Sequence, residues 1–583
     1  MTPGLLDLDY SELLNRNREL GDALAGAEAV SAAVLANTTV DPLKEILEYA
    51  LRRARVPATV RIGGFDSIVQ DSERCSDCRI VAVFFDAGVA LPDALAGLLK
   101  GGEAAEREFV AEMARRTRTV LENLKTIPLV LFNLFCPLPW TCCAPEQRRL
   151  DRICAQLEQA LDFSQWPNVA PVDLAKIFAR IGVAESVDWR LYYRARALYS
   201  LRFLTCWVDQ VEPILTSLAG TARKALIFDC DNTLWQGILG EDGFDGIEMG
   251  MDTPRGRVFR EVQQDILELA HGGVILGLCS RNNPDEVDEV LARHPDMLVR
   301  EPLLSVRRVN WEDKVSSLAA IAKELNIGLD AIAFVDDSPQ ELLAVEQQLP
   351  EVAVFQVPVR LSEYPSSFRR FARQFALNHA TGEDARRTAM YRSEALRRDA
   401  AGHFATREDY LRSLQLRIRV HRDNPEHARR VAQLTQKTNQ FNLTTIRYTE
   451  AEVLRMVSSE SQRVLSLEVS DRFGEYGITG VAIYDLRAGG RESHIDTLLL
   501  SCRVLGREVE LALMDALIDQ LRADGVATVH ARYVLTRKNT QAEWYFERCG
   551  FSLVGQAGEV TTYALSLPDY KPFECDYIAR SYA

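Results

Sequence analysis

Asp229 and Asp231 stand one residue apart at the end of the apolar run Ala225-Leu226-Ile227-Phe228, and Thr233 follows two residues later. Two carboxylates so close cannot both stay ionised cheaply unless a cation neutralises them or they take different protonation roles. Hard cations such as Mg²⁺ accept carboxylate oxygens, so the cluster points to metal-assisted phosphoryl chemistry. Taken alone, the same residues also read as an Asx turn or a helix cap after a strand.

Three further pieces follow in order. The run 274–279 ends in Ser280-Arg281-Asn282-Asn283 before a helix expected from Pro284, which sets a hydroxyl and amide donors at a helix start, an anion site. Asn310-Trp311-Glu312-Asp313-Lys314 opens an amphipathic helix running to Leu325, with Lys314 as a fixed positive charge. The run 331–335 ends in Asp336-Asp337-Ser338-Pro339. Each piece alone is a cap or a turn, but capping gives no reason for their common chemistry. Apolar runs that stop on polar clusters are buried parallel strands opening into a site at their carboxyl ends.

With 583 residues the chain exceeds one ordinary core, and several domains are expected. A net charge of −15 disfavours nonspecific binding to nucleic acid or anionic membrane. The most apolar stretch, 127–143, is broken by Pro128, Pro137 and Pro139 and is too short to span a bilayer. Twelve scattered cysteines without a leader pattern at Met1 suggest reduced thiols and a cytoplasmic protein. Region 1–215 alternates apolar runs with helical stretches, an α/β layer with a parallel sheet. It contains no histidine, since the first is His271, so a serine or cysteine hydrolase confined to it would lack the usual imidazole base. A scaffold or docking domain is expected. Cys75 and Cys78 have no second pair or nearby histidine to complete a zinc set, and Cys142-Cys143 is poor ligand spacing.

The four motifs together resemble those of the haloacid-dehalogenase phosphatase superfamily. The resemblance implies that Asp229 attacks phosphorus and that Asp231 protonates the leaving oxygen and then activates water. Ser280 and Lys314 would hold the phosphoryl oxygens, and Thr233, Arg281, Asn282 and Asn283 would line the substrate. Mg²⁺ would be held by Asp229, the Asp231 main-chain carbonyl and Asp336 or Asp337. Longer stretches resemble the FkbH-like family: Asp231 to Trp235, Leu278 to Asn283, Asn310-Trp311, Thr435-Gln436-Lys437-Thr438-Asn439-Gln440-Phe441-Asn442-Leu443-Thr444, Asp471-Arg472-Phe473-Gly474-Glu475-Tyr476-Gly477 and Ser501-Cys502-Arg503-Val504-Leu505-Gly506-Arg507. The likeness runs from about residue 222 to the end and is looser before it, where the family has an SGNH-hydrolase-like fold.

That resemblance implies a glyceryl transferase/phosphatase of polyketide-type pathways. It would dephosphorylate D-1,3-bisphosphoglycerate and load D-glycerate onto the phosphopantetheine thiol of an acyl carrier protein. Cys279 matches the family's Leu-Cys-Ser segment and is the candidate for holding the glyceryl group as a thioester. Strand alternation turns Cys279 and Ser280 to opposite faces, so sharing one site requires a bend there. Cys230, Gln236 and Glu508 depart from the family pattern, the last beside Gly506-Arg507.

The expected architecture is therefore multidomain α/β: an SGNH-like domain (1–215), a Rossmannoid haloacid-dehalogenase-like domain (222–365), a basic helical linker (366–405) and an α+β domain resembling N-acetyltransferases (406–583). In the last, Arg503, Gly506, Arg507 and Asn539 are expected to meet the phosphopantetheine arm. Two other functions compete: a Mg²⁺-dependent phosphatase acting on another phosphorylated small molecule or protein, and an acetyltransferase with an inert phosphatase-like domain.

Overall fold

The computed structural model describes residues 5–26, 29–86, 92–136, 144–218, 220, 222–375, 404, 406–487, 490–536, 538–573 and 575–583, the side chains of 92–101 and 144–147 left aside. The chain forms two units, 1–219 with 448–455, and 220–447 with 456–583.

The first unit is built on β1 (Val30–Ala36), β2 (Ala58–Ile62), β3 (Ile80–Phe84), β4 (Leu129–Asn133) and β5 (Val169–Val172). All neighbours pair in parallel, in the order β2-β1-β3-β4-β5, a doubly wound topology. Every residue of β3 and β4 is buried, as strands covered on both faces must be. One face packs Ala32, Val34, Phe84, Phe203 and Trp207; the other packs Val81, Val83, Met113 and Phe132.

The second unit contains two sheets. In the first, β6 (Ala225–Phe228), β7 (Ile275–Ser280), β8 (Leu304–Val309), β9 (Ile332–Asp336) and β10 (Ala353–Gln356) are parallel in the order β10-β9-β6-β7-β8. The Asp-x-Asp strand is thus central. Phe228 registers with Leu278 on one side and Val335 on the other, so all three strands reach their polar ends at the same edge. The helix Tyr364–Ala372 packs Tyr364, Phe368 and Ala372 into the core beneath β6, and Arg369 pairs with Glu261 and Asp265. The start of the stretch expected as a linker is therefore part of this domain's core. Of the arginines that make that stretch basic, Arg369, Arg370 and Arg373 lie in or just after this helix, and Arg386, Arg387, Arg392, Arg397 and Arg398 lie outside the described residues.

The second sheet of this unit is mixed, with eight strands in the order β16-β17-β15-β14-β13-β12-β11-β18. They are β11 (Leu416–Arg422), β12 (Gln462–Asp471), β13 (Gly474–Leu486), β14 (Glu492–Leu500), β15 (Thr528–Val534), β16 (Ser552–Ala557), β17 (Val560–Ser566) and β18 (Ile578–Tyr582). The helix Val509–Ala523 buries Leu513, Leu517 and Leu521 in this domain's core. The last three strands have polar, half-exposed sequences such as Ile578-Ala579-Arg580-Ser581-Tyr582, which carry little apolar alternation.

Candidate active site

Strand register brings four separated motifs to one edge. Asp229 follows β6 and its amide donates to Val335 O at 2.9 Å, which fixes it beside Asp336. Lys314 is the first residue of the helix Lys314–Leu325, which Asp313 caps by accepting from Ser316 N at 2.8 Å. That start directs the Lys314 ammonium inward, 2.9 Å from Asp229 Oδ1 and 2.5 Å from Asp336 Oδ2. Its side chain is 7% exposed, against 8% and 0% for the two carboxylates. A buried ion pair of this kind is costly to desolvate, so it signals a site more than a source of stability. Burial pulls the Lys314 ammonium down, but Asp229 and Asp336 outweigh it and leave it above its ordinary value.

Asp229, Asp336 and Asp337 each offer an oxygen, and the three lie within 4.8 Å of one another. A set of hard oxygen donors with excess negative charge fits a divalent cation such as Mg²⁺. Asp336 is the more committed of its pair: Oδ2 meets Lys314 and Oδ1 accepts from Ser338 N at 2.8 Å. Asp337 is half-buried and meets Asn232. Burial, then the Asp229 charge, raise both carboxyls above the usual range, outweighing the lowering by Lys314.

Asp231 is held differently. Its Oδ1 accepts from Trp235 Nε1 at 2.9 Å and Leu239 N at 3.0 Å, and its Oδ2 from Asn282 Nδ2 at 3.0 Å. Asn232 takes a left-handed conformation (φ 52°), which asparagine tolerates, and turns the chain so that Trp235 and Leu239 come back over Asp231. Burial raises the Asp231 carboxyl above its ordinary value despite those donors, the direction a general acid needs. Trp235 was not foreseen as a site residue; the signal was an indole donor four positions after a carboxylate that must be buried.

Ser280 ends β7 and is buried at this edge. Asn282 touches Asp231, while Asn283 accepts from the indole of Trp311 at 3.3 Å. Arg281 points outward to Glu341, 2.6 Å away, and to Glu312 O at 3.2 Å. Thr233 is fully buried, and its hydroxyl has no partner and no solvent contact, so it is closed to a substrate in this arrangement. Cys279 lies on the same face of the sheet as Asp229, Asp336 and the helix of Lys314, with its sulfur 3.9 Å from Lys314 O, but it is covered. It is 1% exposed, packed in the apolar layer with Ile227, Ile275 and Leu318, and burial pushes its thiol up to about 12. Cys230 is fully buried in the opposite apolar layer, where burial and then Asp229 push its thiol well up.

Of the expected phosphopantetheine residues, Arg507 and Asn539 are turned inward, Arg503 is half-buried and donates to Ser501 Oγ at 3.2 Å, and Gly506 is exposed. Arg507 donates to Tyr476 OH and to Arg503 O, each at 2.7 Å, and Tyr476 OH donates to Asp471. Asn539 is fully buried; its Nδ2 donates to Asn442 O and Val534 O, while its Oδ1 accepts from Thr536 N and Oγ1. Gly506 takes a φ of 78° that leaves its turn to glycine. The neighbouring Cys502 and Lys538 meet Asn326 and Asp330. Those two precede β9, whereas Asp336 ends it, so the contact falls at the edge of the sheet opposite the carboxylates.

No protein-family profile matches the chain, and no curated protein matches it. Among solved structures, the chain is similar to the N-terminal part of the protein BF1531 from Bacteroides fragilis, described as containing a phosphatase domain and complexed with Mg. The two are 21% identical with a TM-score of 0.56, over 64% of this chain and 100% of that one. This likeness establishes the fold. A putative acetyltransferase of the GNAT family from Desulfovibrio desulfuricans matches 26% of this chain and 99% of its own, at 16% identity and a TM-score of 0.22. The spermidine/spermine N-acetyltransferase SpeG from Vibrio cholerae gives 15% and 0.22 over 27% and 96%, scores too low to assign a fold.

Proposed function

We propose that this chain is a metal-dependent phosphoryl-transfer enzyme of the haloacid-dehalogenase type, with Asp229 as the group that takes the phosphoryl. The observation that carries the reading is the buried Lys314 ammonium shared between Asp229 and Asp336, with Asp337 completing a three-carboxylate cluster. A fixed cation and a cation site converging on one carboxylate are what developing phosphoryl charge requires. Mg²⁺, the ion named with the BF1531 phosphatase domain, suits these oxygen donors; bound, it would offset the carboxylate charge and polarise a phosphoryl oxygen.

Asp229 attacks phosphorus, an O–P bond forms and the bond to the leaving oxygen breaks, giving an aspartyl phosphate. Asp231, held by Trp235, Leu239 and Asn282, delivers the proton to that oxygen and then takes one from a water whose oxygen bonds phosphorus as the Asp229–phosphorus bond breaks, releasing phosphate. Ser280 and Lys314 keep the transferred oxygens in place. In the finer reading, suggested by the FkbH-like resemblance, the substrate is D-1,3-bisphosphoglycerate. Its 3-phosphate leaves by this route, while a thiolate attacks the acyl carbon, forming a C–S bond and expelling the 1-phosphate. The final acceptor is the phosphopantetheine thiol of an acyl carrier protein. For Cys279 to hold the acyl group first, its buried sulfur must be uncovered from the apolar layer beside the Lys314 helix. The absence of an open thiol at the described site favours, as the second reading, a phosphatase without thioester formation.

Asp229→Asn is expected to lower phosphate release by about 10³-fold or more. Intact-protein mass spectrometry after incubation with bisphosphoglycerate, with wild type and Cys279→Ala, separates the readings. Phosphate release without any glyceryl mass gain on enzyme or carrier protein leaves the phosphatase alone. Unchanged release in Asp229→Asn defeats both.

A further inference from the structure

In the mixed sheet, β14 and β15 run parallel and pair only from Glu492↔Thr528 to Ile495↔Ala531. Beyond that they part. Strands that diverge leave backbone groups on their facing edges, and a buried group of this kind must find a partner. Such a gap is also where an extended, amide-bearing chain can add itself to a sheet.

Here the chain's own segment Phe441-Asn442-Leu443 lies in the gap. Leu443 N donates to Leu498 O at 3.1 Å, and Leu500 N donates to Phe441 O at 3.0 Å, an antiparallel bridge centred on Asn442 and Leu499. On the other side Val534 N donates to Leu443 O at 2.8 Å. The segment therefore serves both parted strands at once. Asn539 clamps it, with Nδ2 2.9 Å from Asn442 O and also 2.9 Å from Val534 O. Phe441 is 3% exposed and Asn442 and Leu443 are 0% exposed, the two apolar side chains joining the domain's core. Phe441 also meets the Tyr545 ring edge-on, with centroids 5.0 Å apart.

We infer that the gap between β14 and β15 is closed by residues 441–443 and takes no pantetheine-type arm. An incoming arm would have to displace three ladder hydrogen bonds and expose Phe441 and Leu443. Its own amides would replace the hydrogen bonds but not the two buried side chains. The inference does not rest on the phosphoryl-transfer reading, which concerns a different sheet.

Hydrogen–deuterium exchange of the full chain, with and without millimolar coenzyme A or pantetheine, tests it. Peptides covering 441–443 and 498–500 are expected to exchange as slowly as the core of β13, unchanged by either probe. Asn539→Ala is expected to speed exchange in these peptides at least about tenfold, the effect of losing roughly 1.4 kcal/mol of local stability, because it unclamps the segment. Fast exchange in the wild type, or a change in these peptides on adding either probe, overturns the inference. Should Asn539→Ala fail to fold, the wild-type comparison still decides.

Discussion

Lys314 is held by two carboxylates in a place almost without solvent, and its removal separates stability from chemistry. In Lys314→Met, Asp229 and Asp336 are left buried and mutually repelling. Breaking a buried pair costs about 3–5 kcal/mol, so denaturant unfolding in chelator is expected to show a loss of that order. Added Mg²⁺ should recover part of it by replacing the lost charge, while phosphate release stays impaired. No Mg²⁺-dependent recovery would remove the cation from the proposed site. Cys279 gives a second test at this scale. Its thiol, buried and pushed up to about 12, is almost entirely protonated at pH 8. Iodoacetamide mapping of the native enzyme at that pH should leave it unmodified and label it only after denaturation. Prompt native labelling would show the β7 end opening in solution, as thioester formation on Cys279 demands.

The elements matter through where they end. β6, β7 and β9 are short buried strands whose registers set Asp229 level with Asp336 on one side and with Cys279, one residue before Ser280, on the other, so a disturbance inside one strand is felt at its end. Gly277 is the one glycine of β7. A methyl group there would stand 2.6 Å from Val306 Cγ1 and 2.8 Å from Ile227 Cδ1. Gly277→Ala should cost about 1–3 kcal/mol by overpacking and lower phosphate release although residue 277 touches no substrate. Wild-type stability and activity in this variant would mean that β7 tolerates movement without disturbing Ser280. Capping works at the same scale: Asp313, Ser338 and Thr253 each accept from an amide of the helix they open, and two of those helices start at the site.

For the whole molecule, the division into two units restricts what cation binding can stabilise. Ligand binding protects only what must unfold to release it. Saturating Mg²⁺ should therefore slow hydrogen exchange in β6, β7 and β9 and leave β1 to β5 unchanged. Protection appearing in the first unit instead would place a cation there. The net charge of −15 adds a long-range repulsion toward anionic substrates, which the buried Lys314 offsets only at contact.

Much of the site was legible in the residues because its chemistry is local. Carboxylates, hydroxyl and lysine at strand ends and helix starts follow from apolar runs that stop abruptly, and those stops are written in sequence. The parallel sheets were legible too, since strands buried on both faces are continuously apolar. What required the tertiary structure was the direction of side chains whose types suit two roles. Asn539 and Arg507 have the chemistry to meet a phosphate arm, but buried backbone groups and a tyrosine claim them first. Cys279 sits one residue before Ser280, and the pleat of β7 sends its sulfur toward the Lys314 helix, where apolar packing covers it. Sequence order determines which groups arrive at an edge; only packing decides whether each faces the substrate or the core, because burial demands partners and takes the nearest.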